Sequence, residues 1–107
     1  MSIKQEIIEK LKSFTGEKDT DNVLPFYNEY RRSVLEKCAA LEKTLPSGDF
    51  NALYQSSHAL KGISEVAGYR EMWQHAARFV EGTKAKDIAI CRDEFEHISS
   101  LAEALEE

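Results

Sequence analysis

The residue types and spacing best suited to a chemical reaction occur in one short segment of this sequence, at His58, Lys61 and Gly62. Imidazole is the side chain whose ordinary pKa lies near neutrality. Residues three and four apart share a helix face, so Lys61 and Gly62 lie beside His58 if the segment is helical. Glycine inside a helix costs about 0.5–1 kcal/mol relative to alanine, so Gly62 indicates a close approach by another molecule. This combination suits an imidazole that becomes phosphorylated, with the ammonium offsetting the phosphoryl charge.

The residues that share this face with His58 define a predicted contact surface. Tyr54 and Gln55 lie one turn before His58, and Glu65 lies two turns after it. We expect these three side chains to contribute to the surface that meets a partner. The alternative interpretation is that His58 is an ordinary helix-surface residue and Gly62 a concession to tight packing.

Five segments of helical periodicity position this site. Apolar residues recur at spacings of three and four in each segment, and the segment that carries His58 has the strictest pattern. Gly68 follows that segment where a left-handed residue would end a helix. Four long amphipathic helices with short connections predict an all-α fold, an antiparallel four-helix bundle with an additional short N-terminal helix. The predicted helices are about Ile3–Phe14, Asp21–Leu45, Phe50–Ala67, Arg70–Glu81 and Asp87 to the C-terminus, and the Gly82-Thr83 pair is predicted to form the break after the fourth.

The length and charge of the chain narrow the possible functions. Its 107 residues, 42% of them apolar, are enough for one core, so residues 1–107 are expected to form a single domain. The net charge of -5 disfavours binding to nucleic acid or to an anionic membrane, because both need clustered basic residues. No stretch approaches the ~20 apolar residues that span a bilayer, and we expect a cytoplasmic monomer. Cys38 and Cys91 are interpreted as reduced core residues.

The segment that starts at His58 carries a recognisable motif. It reads His-Ala-Leu-Lys-Gly, followed by small residues and by Gly68, ten positions after the histidine. This pattern resembles the H-x-L-K-G signature of the histidine-containing phosphotransfer (HPt) domains of two-component phosphorelays, whose helical bundle and size also fit this chain. The resemblance implies that His58 is the phospho-acceptor, Lys61 its charge partner and Gly62 the residue that permits close docking.

The resemblance also implies a phosphocarrier rather than an enzyme. HPt domains accept a phosphoryl group on imidazole Nε2 from an aspartyl phosphate of one receiver domain and pass it to the aspartate of another. These receivers belong to response regulators or hybrid histidine kinases. The chain has no glycine-rich phosphate loop, no paired aspartates near His58 and no nucleotide motif. We therefore expect no autokinase activity and no cofactor of its own, with Mg²⁺ held by the partner receiver.

Two positions depart from the family pattern. Ile63 stands where the family often has serine or alanine, which alters local packing more than chemistry. Val80 stands 22 positions after the histidine, where the family often has a polar residue that hydrogen-bonds the imidazole. The ring orientation could then depend on Gln55, Glu81 or water. We expect Val80 to be exposed beside His58 and to enlarge an apolar docking surface.

Other candidate sites carry less weight. His75 and His97 lie on separate helices with no histidine or cysteine one turn away, so a metal site is not expected. Ser57 directly precedes His58 and therefore points away from it on a helix, which disfavours a nucleophilic pair. The competing functions are a helical interaction module that binds receiver or kinase domains without being phosphorylated, and a metal protein of the bundle core. The aromatic residues interpreted mainly as core are Phe26, Tyr27, Tyr30, Phe50, Trp73, Phe79 and Phe95.

Overall fold

A computed structural model describes residues 1–107 and contains five α-helices, one short 3-10 helix and no β-strand, which confirms the predicted all-α class. The α-helices are α1 (Ile3–Thr15), α2 (Thr20–Thr44), α3 (Phe50–Ala67), α4 (Arg70–Lys84) and α5 (Ile88–Glu103), and the 3-10 helix spans Leu45–Ser47. The predicted ends of α4 and α5 were wrong. α4 continues beyond Glu81 because Gly82 and Thr83, predicted to form a break, are buried in its last turn. α5 ends at Glu103 instead of reaching the C-terminus.

Aspartate side chains determine where three of the helices begin. Asp19, Asp49 and Asp87 precede α2, α3 and α5, and each carboxylate accepts a hydrogen bond from a backbone N–H of the first turn. These N–H groups have no partner inside the helix, so the caps stabilise each start. At the other end of α3, Gly68 adopts φ +72°, the left-handed conformation predicted for it. The position of the His58 segment is therefore fixed at both ends by local sequence.

The four longer helices α2 to α5 form a closed bundle. Each of them packs against the next, α5 packs back on α2, and α1 packs on α2 and α3. Connections of two to five residues make successive helices antiparallel. The predicted four-helix bundle with an additional N-terminal helix is confirmed. Its largest fully buried side chains are Tyr27, Phe79, Ile7, Ile8, Leu41, Leu53, Leu60, Met72, Ile98, Val23, Val34 and Val80.

Some apolar residues lie outside the core. Both cysteines are unpaired; Cys91 is buried, as predicted, and Cys38 is half-buried. The assignment of Phe26 to the core was wrong, because its side chain is 56% exposed. Phe14, the last residue of the first predicted helix, is 72% exposed. No helix combines the length and the apolar character that a membrane span requires.

Candidate functional site

The position of His58 follows from the apolar stripe of α3. Ser57 and Leu60 are fully buried, and His58, rotated by one residue from Ser57, is exposed at the edge of the stripe. The Ser57 hydroxyl donates a 3.2 Å hydrogen bond to the Tyr54 carbonyl, so it does not activate the imidazole. A rigid helix with a buried face thus presents His58 to solvent.

The His58 ring contacts one aromatic neighbour. Its centroid lies 5.3 Å from that of Tyr54, with the two ring planes tilted by 47°. Neither of the residues suggested for orienting the ring holds it. Gln55 is exposed and makes no hydrogen bond with the ring, and Glu81 Oε1 lies 3.6 Å from Lys84 Nζ in an ion pair on α4. The ring nitrogens of His58 are therefore open to a partner.

The bare backbone at Gly62 leaves open space beside the histidine. A Cβ atom added there would have no non-adjacent side chain and no neighbouring helix within 4 Å. At Gly82, by contrast, an added Cβ would meet Ile90 Cγ2 at 2.9 Å and Cys91 Sγ at 3.1 Å. Gly82 is a packing glycine and Gly62 is not. The alternative interpretation of Gly62 as a packing concession is therefore wrong.

The Lys61 side chain extends from α3 towards the neighbouring helix α4. Its ammonium sits 5.8 Å from the centroid of the Trp73 ring on α4, within the range of a cation–π interaction. None of the ion pairs of the protein involves Lys61. A cation without an anionic partner one turn from an exposed imidazole can respond to a negative charge placed there.

An apolar groove runs along α3 next to His58, between α3, α2 and α1. His58 and Gly62 line this groove, whose volume is about 640 Å³. Phe14, Phe26 and Val66 contribute apolar surface to it and are 72%, 56% and 57% exposed. We call it the α1–α2–α3 groove. Large exposed apolar surface beside polar groups marks an interaction site.

The family model for the Hpt domain matches residues 26–107, which is more than three quarters of the chain and includes α3, α4 and α5 completely. The chain belongs to the Hpt domain family. Membership makes it a phosphotransfer module of two-component systems, a phosphocarrier that works with receiver domains. Comparisons with curated proteins and with solved structures found no match.

The predicted exposure of Val80 in this Hpt domain was wrong, because the side chain is 2% exposed. α4 packs against both α3 and α5, so it buries a wide arc that includes the adjacent residues Phe79 and Val80. Val80 is part of the core and adds nothing to a docking surface. Gln55 and Glu65 are exposed and Tyr54 is half-buried, so these three side chains do lie at the surface.

The α1–α2–α3 groove of the Hpt domain was missed in the sequence, although a signal was present. Phe26 directly precedes Tyr27, and Val66 directly precedes Ala67. Adjacent residues on a helix differ by about 100° in direction, so one member of such a pair stays exposed unless a further helix covers it. Tyr27 is fully buried and Phe26 turns outward into the groove.

A buried hydrogen bond holds α2 against α3 beneath this groove. The Tyr30 and Ser64 hydroxyl oxygens lie 2.8 Å apart, and both side chains are buried. Burial raises the pKa of Tyr30 far above its ordinary value, because the phenolate would lose its hydration. The phenol therefore stays neutral and keeps its hydrogen bond. This contact fixes the groove wall relative to the helix that carries His58.

A second group of titratable residues lies between α4 and α5. His75 Nδ1 is 2.6 Å from Glu94 Oε2, and the rings of His75 and His97 stack with centroids 4.6 Å apart and planes 12° apart. The sequence did not predict that these histidines meet. Imidazole binds metals through lone pairs in the ring plane, so parallel stacked rings do not converge on one ion. The protein has no group of three histidine, cysteine, aspartate or glutamate side chains arranged to hold a metal ion.

Proposed function

We propose that the chain relays phosphoryl groups between receiver domains through His58. The Nε2 lone pair attacks the phosphorus of an aspartyl phosphate, the phosphorus–oxygen bond to the aspartate breaks, and the carboxylate leaves while Nε2 carries the phosphoryl group. The reverse reaction with a second receiver restores the imidazole. The observation that carries this proposal is an imidazole that is exposed on a rigid helix beside the open backbone of Gly62.

The α1–α2–α3 groove is the proposed docking surface for the receiver. It is continuous with His58 and Gly62, so a partner bound there brings its own active site to the imidazole. Phe14, Phe26 and Val66 would bury their exposed apolar surface against an apolar helical face of the receiver. The absence of a Cβ at Gly62 lets the backbone of the partner approach closely.

The proposed roles of the remaining charges follow from what the transfer requires. In-line phosphoryl transfer needs a nucleophile, positioning and neutralisation of the equatorial oxygens. The chain supplies the nucleophile and the Lys61 ammonium, and Mg²⁺ and the other charges would come from the receiver. Without a nucleotide site of its own the chain is proposed to lack autokinase activity.

Transfer from a labelled receiver tests the proposal directly. The chain is incubated with phosphorylated receiver domains of its source organism, and label is expected to move onto it as an acid-labile, base-stable phosphoramidate. His58→Gln should abolish the label, whereas His97→Gln, at an exposed histidine on α5, should leave it unchanged. Transfer from no receiver, or undiminished labelling of His58→Gln, would refute the relay function. Receiver binding without transfer would support the unphosphorylated interaction module instead.

A matched pair of variants on α2 tests the docking surface. Phe26→Ala removes apolar area from the α1–α2–α3 groove, while Leu35→Ala removes a 41% exposed side chain of the same helix that does not line it. We expect Phe26→Ala to raise the KM for the receiver and to leave the rate at saturating receiver nearly unchanged. Leu35→Ala should change neither quantity. Equal effects of the two variants would place the receiver elsewhere.

A further inference from the structure

The single tryptophan of the chain has an unusual environment. Trp73 is half-buried on α4, and its indole Nε1 is buried without a hydrogen-bond partner. Buried indole N–H groups ordinarily find an acceptor, since an unpaired donor is unfavourable. The ring is therefore not held in place through its polar edge. The Trp73 ring instead contacts a charged group through its face, because the Lys61 ammonium lies 5.8 Å from the ring centroid.

The contact with Trp73 is notable because Lys61 has another available partner. Glu65 lies four residues later on the same face of α3, yet no ion pair joins the two. A lysine that precedes a glutamate is the weaker orientation of such a pair. The ammonium instead lies against the aromatic ring of the neighbouring helix.

The position of Trp73 along the bundle sets the direction in which Lys61 extends. Trp73 lines a cleft of about 150 Å³ together with Ser64, Glu65 and Gly68, which follow Lys61 along the chain. His58 lies one turn before Lys61. The Trp73 ring therefore lies towards the C-terminal end of α3 from Lys61, and His58 lies in the opposite direction along the helix.

We propose that Trp73 is a positioning residue that holds the Lys61 ammonium while His58 is unphosphorylated and releases it when His58 carries a phosphoryl group. The inference rests on the proposed relay function. A phosphoryl group near neutrality carries between one and two negative charges, and a charge-assisted hydrogen bond to it is stronger than the attraction to an exposed ring face. Lys61 exchanges the indole for the phosphoryl oxygens without a change in the helices.

This exchange has a measurable thermodynamic consequence. Phosphorylation of His58 requires the Lys61 ammonium to lose its contact with the Trp73 ring, and this loss costs free energy. Removing the ring should therefore favour the phosphorylated form of the chain. A cation–π contact of about 0.5–1 kcal/mol corresponds to a roughly two- to fivefold shift of the transfer equilibrium towards phospho-His58 in Trp73→Leu. Trp73→Phe keeps a weaker aromatic face and should show a smaller shift. In a Lys61→Gln background, Trp73→Leu should cause no shift.

The emission of the single tryptophan reports the same exchange in the unaltered chain. The chain is phosphorylated by a receiver, separated from it, and compared with the unphosphorylated chain while the label on His58 is quantified. A change in Trp73 emission is expected for the wild type and not for Lys61→Gln. Unchanged emission with His58 phosphorylated, or an equal change in Lys61→Gln, would overturn the inference and leave the relay function intact. This measurement decides the question even if Trp73→Leu does not fold, and absence of label on His58 would refute the relay function itself.

Discussion

Replacement of Gly62 by alanine is predicted to make the protein more stable and less able to transfer phosphoryl groups. Alanine is favoured over glycine in a helix interior by about 0.8–1.0 kcal/mol. No non-adjacent side chain and no neighbouring helix lies within 4 Å of the added Cβ, so no steric cost offsets this gain. An increase of about 1 kcal/mol in the free energy of unfolding corresponds to a rise in Tm of about 4–8 °C for a domain of nearly this size.

The matched control is Gly82→Ala, the other glycine in a helix interior of this chain. It has the same gain in helix propensity, but its Cβ would lie 2.9 Å from Ile90 Cγ2 and 3.1 Å from Cys91 Sγ. Overpacking of a core costs about 1–3 kcal/mol. The net effect is therefore a loss of between zero and about 2 kcal/mol. The two alanine variants should move Tm in opposite directions, or Gly82→Ala should leave it unchanged.

The transfer assay gives the functional half of this prediction. If the receiver backbone approaches Gly62 closely, an intruding methyl group costs a similar 1–3 kcal/mol in the complex, or roughly a five- to 150-fold loss in kcat/KM. Gly62→Glu should block transfer completely by bulk and by repulsion of the incoming phosphate. Thermal unfolding followed by circular dichroism and transfer from a labelled receiver are measured on the same samples. A stabilised Gly62→Ala variant with wild-type transfer would refute the close-approach argument.

Three further predictions concern the interior of the bundle. Tyr30→Phe leaves the buried Ser64 hydroxyl without the phenol, and urea unfolding should show a loss of about 1–3 kcal/mol, whereas an unchanged midpoint would mean that this bond contributes nothing. Burial raises the pKa of Cys38 to about 11 from 9.0, so its contribution to the free energy of unfolding is complete below pH 9 and is lost as the pH rises towards 11. Wild type should therefore lose more stability over this interval than Cys38→Ala, and parallel curves of stability against pH would contradict this. Glu94→Ala removes the partner of His75 and should lower the free energy of unfolding by about 1–3 kcal/mol. The exposed control Glu96→Ala should change it by no more than about 0.5 kcal/mol, and equal effects of the two variants would refute a stabilising role for the His75–Glu94 contact.

The local features of the fold could be predicted because each depends on a few neighbouring residues. The spacing of apolar residues by three and four from Phe50 to Ala67 predicts a helix and its buried face. It therefore also predicts that His58, which lies beside that face, is exposed. Gly68 could be predicted as the end of that helix, because a left-handed C-terminal residue is a local requirement. The Gly82-Thr83 pair misled the prediction, because an internal glycine marks a break in some helices and a close helix contact in others.

The sequence by itself determined the all-α class, the helix that carries His58 and the spacing of His58, Lys61 and Gly62, since periodicity and capping act within one or two turns. The tertiary structure decided which helix faces meet. Val80 is buried because α4 packs against two helices, whereas no neighbouring helix covers Phe26 beside the fully buried Tyr27. The contact of Lys61 with Trp73 likewise joins two helices. Such pairings depend on the rotation and register of packed helices, which the spacing of residues within one helix does not specify.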